Sequence, residues 1–179
     1  MSGKKILAIA TLAALLLNAG VDAKRVKKKK NTRRDIVTTI LKDAGGAERG
    51  KAAIYQIGQQ IRLEVIYTGA ITGATHGVHL HQVGKCEGPD FASAGPHWNP
   101  YKVVHGMKTP GGGHAGDLPN LVIDATGTGK IDALIDGIAI TEAPMENLGA
   151  VVVHEKADDM MTDPSGNSGK RIACGAFGK

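Results

Sequence analysis

A chain of 179 residues is long enough for one domain with a real hydrophobic core and too short for two of ordinary size. Its formal net charge of +5 is unevenly spread: residues 24–34, KRVKKKKNTRR, hold eight of the 22 basic residues and no acid. Residues 35–179 carry twelve basic against sixteen acidic side chains, a net charge near −4, which excludes a domain that is basic overall.

The first segment reads as an export signal. Lys4 and Lys5 precede a twelve-residue apolar run, Ile6–Leu17, and the small residues Val21 and Ala23 stand where a signal peptidase reads, predicting cleavage after Ala23. The run is too short to span a bilayer comfortably. The expected organisation is a signal peptide over 1–23, a basic disordered arm over 24–34 and one domain over 35–179, in a protein exported to the periplasm or the extracellular space. Like charges keep the arm solvated and suit it to an anionic surface or polyanion. It has no interleaved aromatic residues for base stacking, so no specific nucleic acid is expected. Export also sets the reading of Cys86 and Cys174: an even count in an oxidising compartment favours one disulfide over two free thiols.

From Asp35 onward the predicted elements are strands: DIVTTIL (35–41), AAIYQI (52–57), IRLEVIY (61–67), HGVHLH (76–81), NLVID (120–124), KIDALID (130–136), AVVVH (150–154) and RIACGAF (171–177). In the third, Ile61, Leu63, Val65 and Tyr67 alternate with Arg62 and Glu64, the period of a half-buried strand. Turn signals separate the runs at DAGG (43–46), PGGG (110–113) and DATGTG (124–129). Short strands joined by Gly-rich turns predict an all-β sandwich or barrel. Residues 84–118 and 155–170 lack this periodicity; loops of that length are usually functional.

The seven histidines are unevenly placed. His79 and His81 stand two apart, so an extended chain puts both imidazoles on one face. The first long loop holds His97, His105 and His114, with Asp117 three residues on. Three imidazoles and a carboxylate would make the closed tetrahedral site that zinc prefers, and would order a long loop. His79, His81 and the strand-end His154 remain as an all-imidazole set suited to copper, zinc or iron. Spacing points to metal without naming the chemistry.

The segments HGVHLHQVG, DFASAGPHWNP, HAGDLPN, VVVHEKADD and GNSGKRIACG occur in this order, and with them the chain resembles the copper/zinc superoxide dismutases over nearly all of 35–179. The resemblance implies a flattened eight-stranded Greek-key β-barrel with two long functional loops, an architecture of the β-sandwich type. It implies copper at His79, His81, His97 and His154, with His97 bridging to zinc at His97, His105, His114 and Asp117. Asp158 is then the carboxylate behind one copper and one zinc histidine, His76 braces the backbone, and Arg171 sits beside the open copper position. The implied activity is dismutation of superoxide, the substrate, to dioxygen and hydrogen peroxide by alternating reduction and oxidation of copper. The resemblance also implies that His97 and Arg171 are the catalytic side chains. Lys156 and Lys170 are candidates for a positive focus, and Ser165 for the channel lining. The segment from His154 to Arg171 is shorter than the charged loop of eukaryotic members, and family dimers differ in their faces, so a homodimer stays open. The alternative is an exported copper-binding or delivery protein on the same fold.

Overall fold

A computed structural model describes residues 34–69, 71–135 and 148–178. The expected signal peptide, and the basic arm apart from Arg34, lie outside the described residues. The strands are β1 (Arg34–Asp43), β2 (Glu48–Ile57), β3 (Gln60–Thr68), β4 (Thr75–His76), β5 (Val78–His81), β6 (Leu121–Val122), β7 (Thr128–Ile135), β8 (Ala150–His154) and β9 (Arg171–Ala176). Helical structure among the described residues is one 3-10 turn, Ala92–Ala94.

Seven strands form one curled antiparallel sheet in the order β5-β8-β9-β1-β2-β3-β7, and β4 pairs with β6 in a small ribbon. The chain crosses this order three times, from β3 to β5, from β5 to β7 and from β7 to β8, the long connections of a Greek-key arrangement. All eight predicted runs contain strand. The fourth divides at Gly77: His76 pairs with Leu121, whereas Val78–His81 pair with β8.

Alternation builds the core. Ile61, Leu63 and Val65 of β3 are fully buried, and their register partners Ile135, Ala133 and Ile131 of β7 lie on the same face. Ile54 of β2 sits opposite Leu63, and Val78, Leu80, Val151 and Val153 close the same cluster with Trp98 and Leu118. The solvent face of β3 carries an ion pair from Arg62 to Asp132 on β7. Both partners are exposed to solvent, which screens the pair, so it adds little to stability.

Strands β5 and β8 break the alternation, because every residue in both is buried. Their inner side chains enter the main core. Their outer ones, His79, His81, Ala150 and Val152, are roofed by the two long loops. Ala150 and Val152 pack there with Phe91, Ala94 and Cys174. A disulfide joins Cys86 to Cys174 with a Cα–Cα distance of 5.7 Å, pinning the start of the first loop to β9.

Candidate metal centre

The first loop docks by its backbone on the free edge of β5. Trp98 N–H donates to Leu80 O at 2.8 Å, Leu80 N–H donates to Gly116 O at 2.8 Å, and Gly116 N–H donates to Trp98 O at 2.9 Å. Isolated bridges set His81 against His97 and His79 against Asp117. Two turns of irregular chain thus become partial strands, which carry a histidine and an aspartate to the face where His79 and His81 already stand. His154 joins them from the end of β8, where the register shifts between Val153 and His154 and the His154 N–H donates to Gly77 O at 2.8 Å.

The second loop closes over the first. Gly106 has φ +109, a conformation open to glycine, and a Cβ there would overlap Met160 O. Gly106 N–H and His114 N–H both donate to Asp117 Oδ2 at 2.9 Å, which fixes that carboxylate from one side. Asp158 is buried between two rings: Oδ2 lies 2.9 Å from His79 Nε2, and Oδ1 lies 3.0 Å from His105 Nε2. Oδ1 also accepts the Met160 N–H at 2.6 Å.

These acceptors determine which nitrogen each ring offers. A carboxylate or carbonyl oxygen requires an N–H opposite it, so a neutral imidazole keeps its lone pair on the other nitrogen. His79 is held at Nε2 by Asp158, His81 at Nδ1 by Gly95 O at 2.8 Å, and His154 at Nδ1 by Gly169 O at 3.2 Å. Their remaining atoms, His79 Nδ1, His81 Nε2 and His154 Nε2, are buried without a hydrogen-bond partner, as is His97 Nε2. His97 and His79 stack with centroids 3.8 Å apart, and His81 lies 4.9 Å from His97. The four donor atoms lie within 4.8 Å of one another.

A second group shares His97. Its Nδ1 lies 3.0 Å from Asp117 Oδ1, His105 Nδ1 lies 3.0 Å from Asp117 Oδ2, and His114 Nδ1 lies 3.3 Å from Asp117 Oδ1. By proximity alone, the atoms within 4.8 Å of one another are those of His79, His97, His105 and Asp117, with His114 outside. Chemistry sorts them differently. His79 has one nitrogen taken by Asp158 and its other among the first group, whereas His114 Nδ1 lies 3.4 Å from His97 Nδ1 and faces Asp117.

Electrostatics prepares the donors. Burial pushes the imidazolium pKa of His79 down and that of His81 far down, and takes His97 to about 4 and His154 to about 3. All four are neutral near pH 7. Burial pushes Asp117 up, but hydrogen bonds involving His97 and the Gly106 N–H outweigh it and bring the carboxyl to about 2. Asp158 is driven well below the usual carboxylate range, its two histidines overcoming the burial cost.

A family model for copper/zinc superoxide dismutase matches residues 48–177, well over half of the chain. The chain belongs to that family. It is 37% identical over 135 residues to a superoxide dismutase [Cu-Zn] of Aquifex aeolicus, covering 73% of this chain and 80% of that one. Among solved structures it is similar to a double mutant of a SOD-like protein from Bacillus subtilis, with TM-score 0.69 and 36% identity over 79% of this chain and 97% of that one. It is also similar to the Cu/Zn superoxide dismutase from Brucella abortus, with TM-score 0.64 and 25% identity over 80% and 99% of the two chains.

Copper and zinc are the cofactors of this dismutase family, and the centre fits both. Of the seven buried side-chain polar atoms without a hydrogen-bond partner among the described residues, five are imidazole nitrogens of this cluster; the fifth, His105 Nδ1, has Asp117 Oδ2 close by but not aligned as a hydrogen bond. Orphans on that scale need an occupant, and converging neutral imidazoles are what copper and zinc take. The other expected residues also have observed places. His76 Nδ1 lies 2.8 Å from His154 O, away from the donors. Arg171 donates from Nη1 to Phe91 O at 2.7 Å and from Nη2 to Gly95 O at 2.8 Å, so Gly95 O holds both the arginine and His81. A cleft of about 680 Å³ opens between His97, His154, Ser165 and Arg171. Lys170 lines a neighbouring depression rather than this cleft, and Lys156 lines neither. The charged side chains lining the cleft, histidines apart, are Arg171 and Asp163. Asp163 is a residue that sequence spacing did not single out.

Proposed function

We propose that this chain is an exported dismutase that converts two superoxide anions and two protons to dioxygen and hydrogen peroxide. His79, His81, His97 and His154 hold copper, and His97, His105, His114 and Asp117 hold zinc. The observation that carries the reading is the set of orphaned imidazole nitrogens, each of the three outer copper ligands being held by an acceptor at its other nitrogen.

The chemistry the metals supply when bound is one-electron exchange with superoxide at copper and a fixed charge at zinc. The rest falls to the chain. Arg171, half-buried and tied to two carbonyls, keeps donors for a small anion in the cleft and remains a cation although burial lowers its pKa. His97 has one nitrogen against Asp117 and the other free, so it can take up a proton at Nε2 and return it to the product. Gly95 O couples the arginine to His81, so the anion's cation and a copper ligand share one anchor.

The Cys86–Cys174 disulfide supports an oxidising compartment, in keeping with the signal peptide read over 1–23. The arm over 24–34 then follows cleavage and serves as a tether to an anionic surface or polyanion. A homodimer remains compatible with this reading.

The test is superoxide removal by residues 24–179 loaded with copper and zinc, with metal content measured on the same sample. Rapid removal that disappears when copper alone is stripped supports the proposal. Full occupancy without turnover would move the protein to copper binding or delivery. His154→Ala is expected to abolish turnover while zinc stays bound, and retained activity would sink the copper assignment.

A further inference from the structure

The imidazoles of the centre follow a pattern in which the nitrogen turned away from the donors meets an acceptor: Asp158 for His79 and His105, Gly95 O for His81, Gly169 O for His154. His97 has both nitrogens facing donor groups. His114 is the remaining ring. Its Nδ1 faces Asp117, and its Nε2 has the carboxylate of Asp163 at 3.7 Å, beyond hydrogen-bond reach. Asp163 is held there: its Oδ1 accepts the backbone N–H of His105 at 2.7 Å, although the side chain is 57% exposed. One carboxylate oxygen of the second loop therefore stands between two residues of the zinc set.

We propose that Asp163 is a positioning residue for His114. Its negative charge favours the tautomer with the proton on Nε2, and so reserves the Nδ1 lone pair for zinc. It does for His114 what Asp158 does for His79 and His105. The anchor at His105 N–H keeps the carboxylate from swinging out to solvent, which gives an exposed side chain a fixed place. This rests on the reading that His97, His105, His114 and Asp117 hold zinc. Outer carboxylates of this kind typically change metal affinity by about 10–100-fold.

The decisive variant is Asp163→Asn, which keeps an oxygen for the His105 N–H and removes only the charge facing His114. Zinc affinity is measured on the full disulfide-bonded chain by competition with a chromophoric chelator. Cobalt(II) is then placed in the zinc site to read its ligand-field absorption. Expected is a zinc dissociation constant raised at least about tenfold, with copper affinity within about twofold of wild type and a changed cobalt spectrum at saturation. A merely structural loop contact would not alter the spectrum of the saturated site. Zinc affinity within about twofold of wild type, with an unchanged cobalt spectrum, would overturn the proposal. If wild type itself takes up no zinc or cobalt, the metal reading fails first, and the two failures are told apart by that control.

Discussion

Asp158→Asn makes the sharpest test of how the two halves of the centre are joined. In the wild type Oδ1 accepts the Met160 N–H at 2.6 Å and faces His105 Nε2 at 3.0 Å, while the hydrogen-bond partner of Oδ2 among the described residues is His79 Nε2 at 2.9 Å. An asparagine oriented to keep Met160 satisfied puts its oxygen in the Oδ1 place and its NH2 opposite His79. Two donors then meet, and His79 can relieve the clash only by moving its proton to Nδ1. That is the nitrogen it should offer to copper. The opposite orientation would leave the Met160 N–H facing an NH2 group instead, a buried unsatisfied donor costing about 1–3 kcal/mol.

The loss should therefore fall on one metal. Copper affinity is expected to drop by about 10–100-fold, equivalent to roughly 1–3 kcal/mol, while zinc binding stays within a few-fold because His105 keeps its acceptor. The assay is separate titration of copper and zinc into the metal-free variant, with superoxide removal measured afterwards. Loss of zinc with copper retained would falsify the orientation derived from Met160. Wild-type affinity for both metals would remove Asp158 from any role in setting the tautomers.

Acid should destabilise the metal-free protein. His97 and His154 have folded-state values of about 4 and about 3, below the usual 6.5, so under pH 6.5 the unfolded chain binds protons that the native site refuses. Stability is then lost as pH falls from 6.5, by roughly 3 kcal/mol for His97 alone by about pH 4, and urea midpoints near pH 7 and pH 4.5 that coincide would refute this. Asp117, held at about 2, adds a further loss below its ordinary value of 3.8. Removing the Cys86–Cys174 link, which spans 88 positions, should lower stability by about 4–5 kcal/mol in the chain-entropy model. Denaturant unfolding of the oxidised and reduced forms checks it, and equal midpoints would contradict it. Gly106→Ala forces a side chain onto Met160 O at φ +109 and should cost at least about 1–3 kcal/mol. Thermal unfolding and zinc content should fall together, and a variant with wild-type values for both would show that the loops can part at no cost.

The strands were legible because their burial is simple. Alternation in IRLEVIY places Ile61, Leu63 and Val65 inside, and the fold uses them so. The metal-binding residue types were legible from composition and from resemblance. Less legible was why they converge. The long loop looks structureless from residue 84 to 118, yet its backbone completes the edge of β5 through Trp98 and Gly116, a pairing between residues about twenty to forty apart that no local period encodes. Asp163 escaped for a related reason. A lone exposed aspartate before a proline reads as a turn, and only the packing of two loops sets it beside His105 and His114.

That edge pairing also bears on how the centre assembles. If the loop were ordered by metal alone, His97 and Asp117 would have no fixed place beforehand. Here Leu80 exchanges hydrogen bonds with Trp98 and Gly116, and those bonds bring in their chain neighbours His97 and Asp117, the residues proposed to serve both metals and zinc, respectively. The disulfide and Arg171 hold the first half of the same loop through Cys86, Phe91 and Gly95. The site is thus substantially preorganised by backbone pairing and covalent restraint. The convergence of buried imidazoles is supported by backbone and covalent restraints as well as by metal. Metal would add its ligand bonds to these restraints rather than order the loop alone.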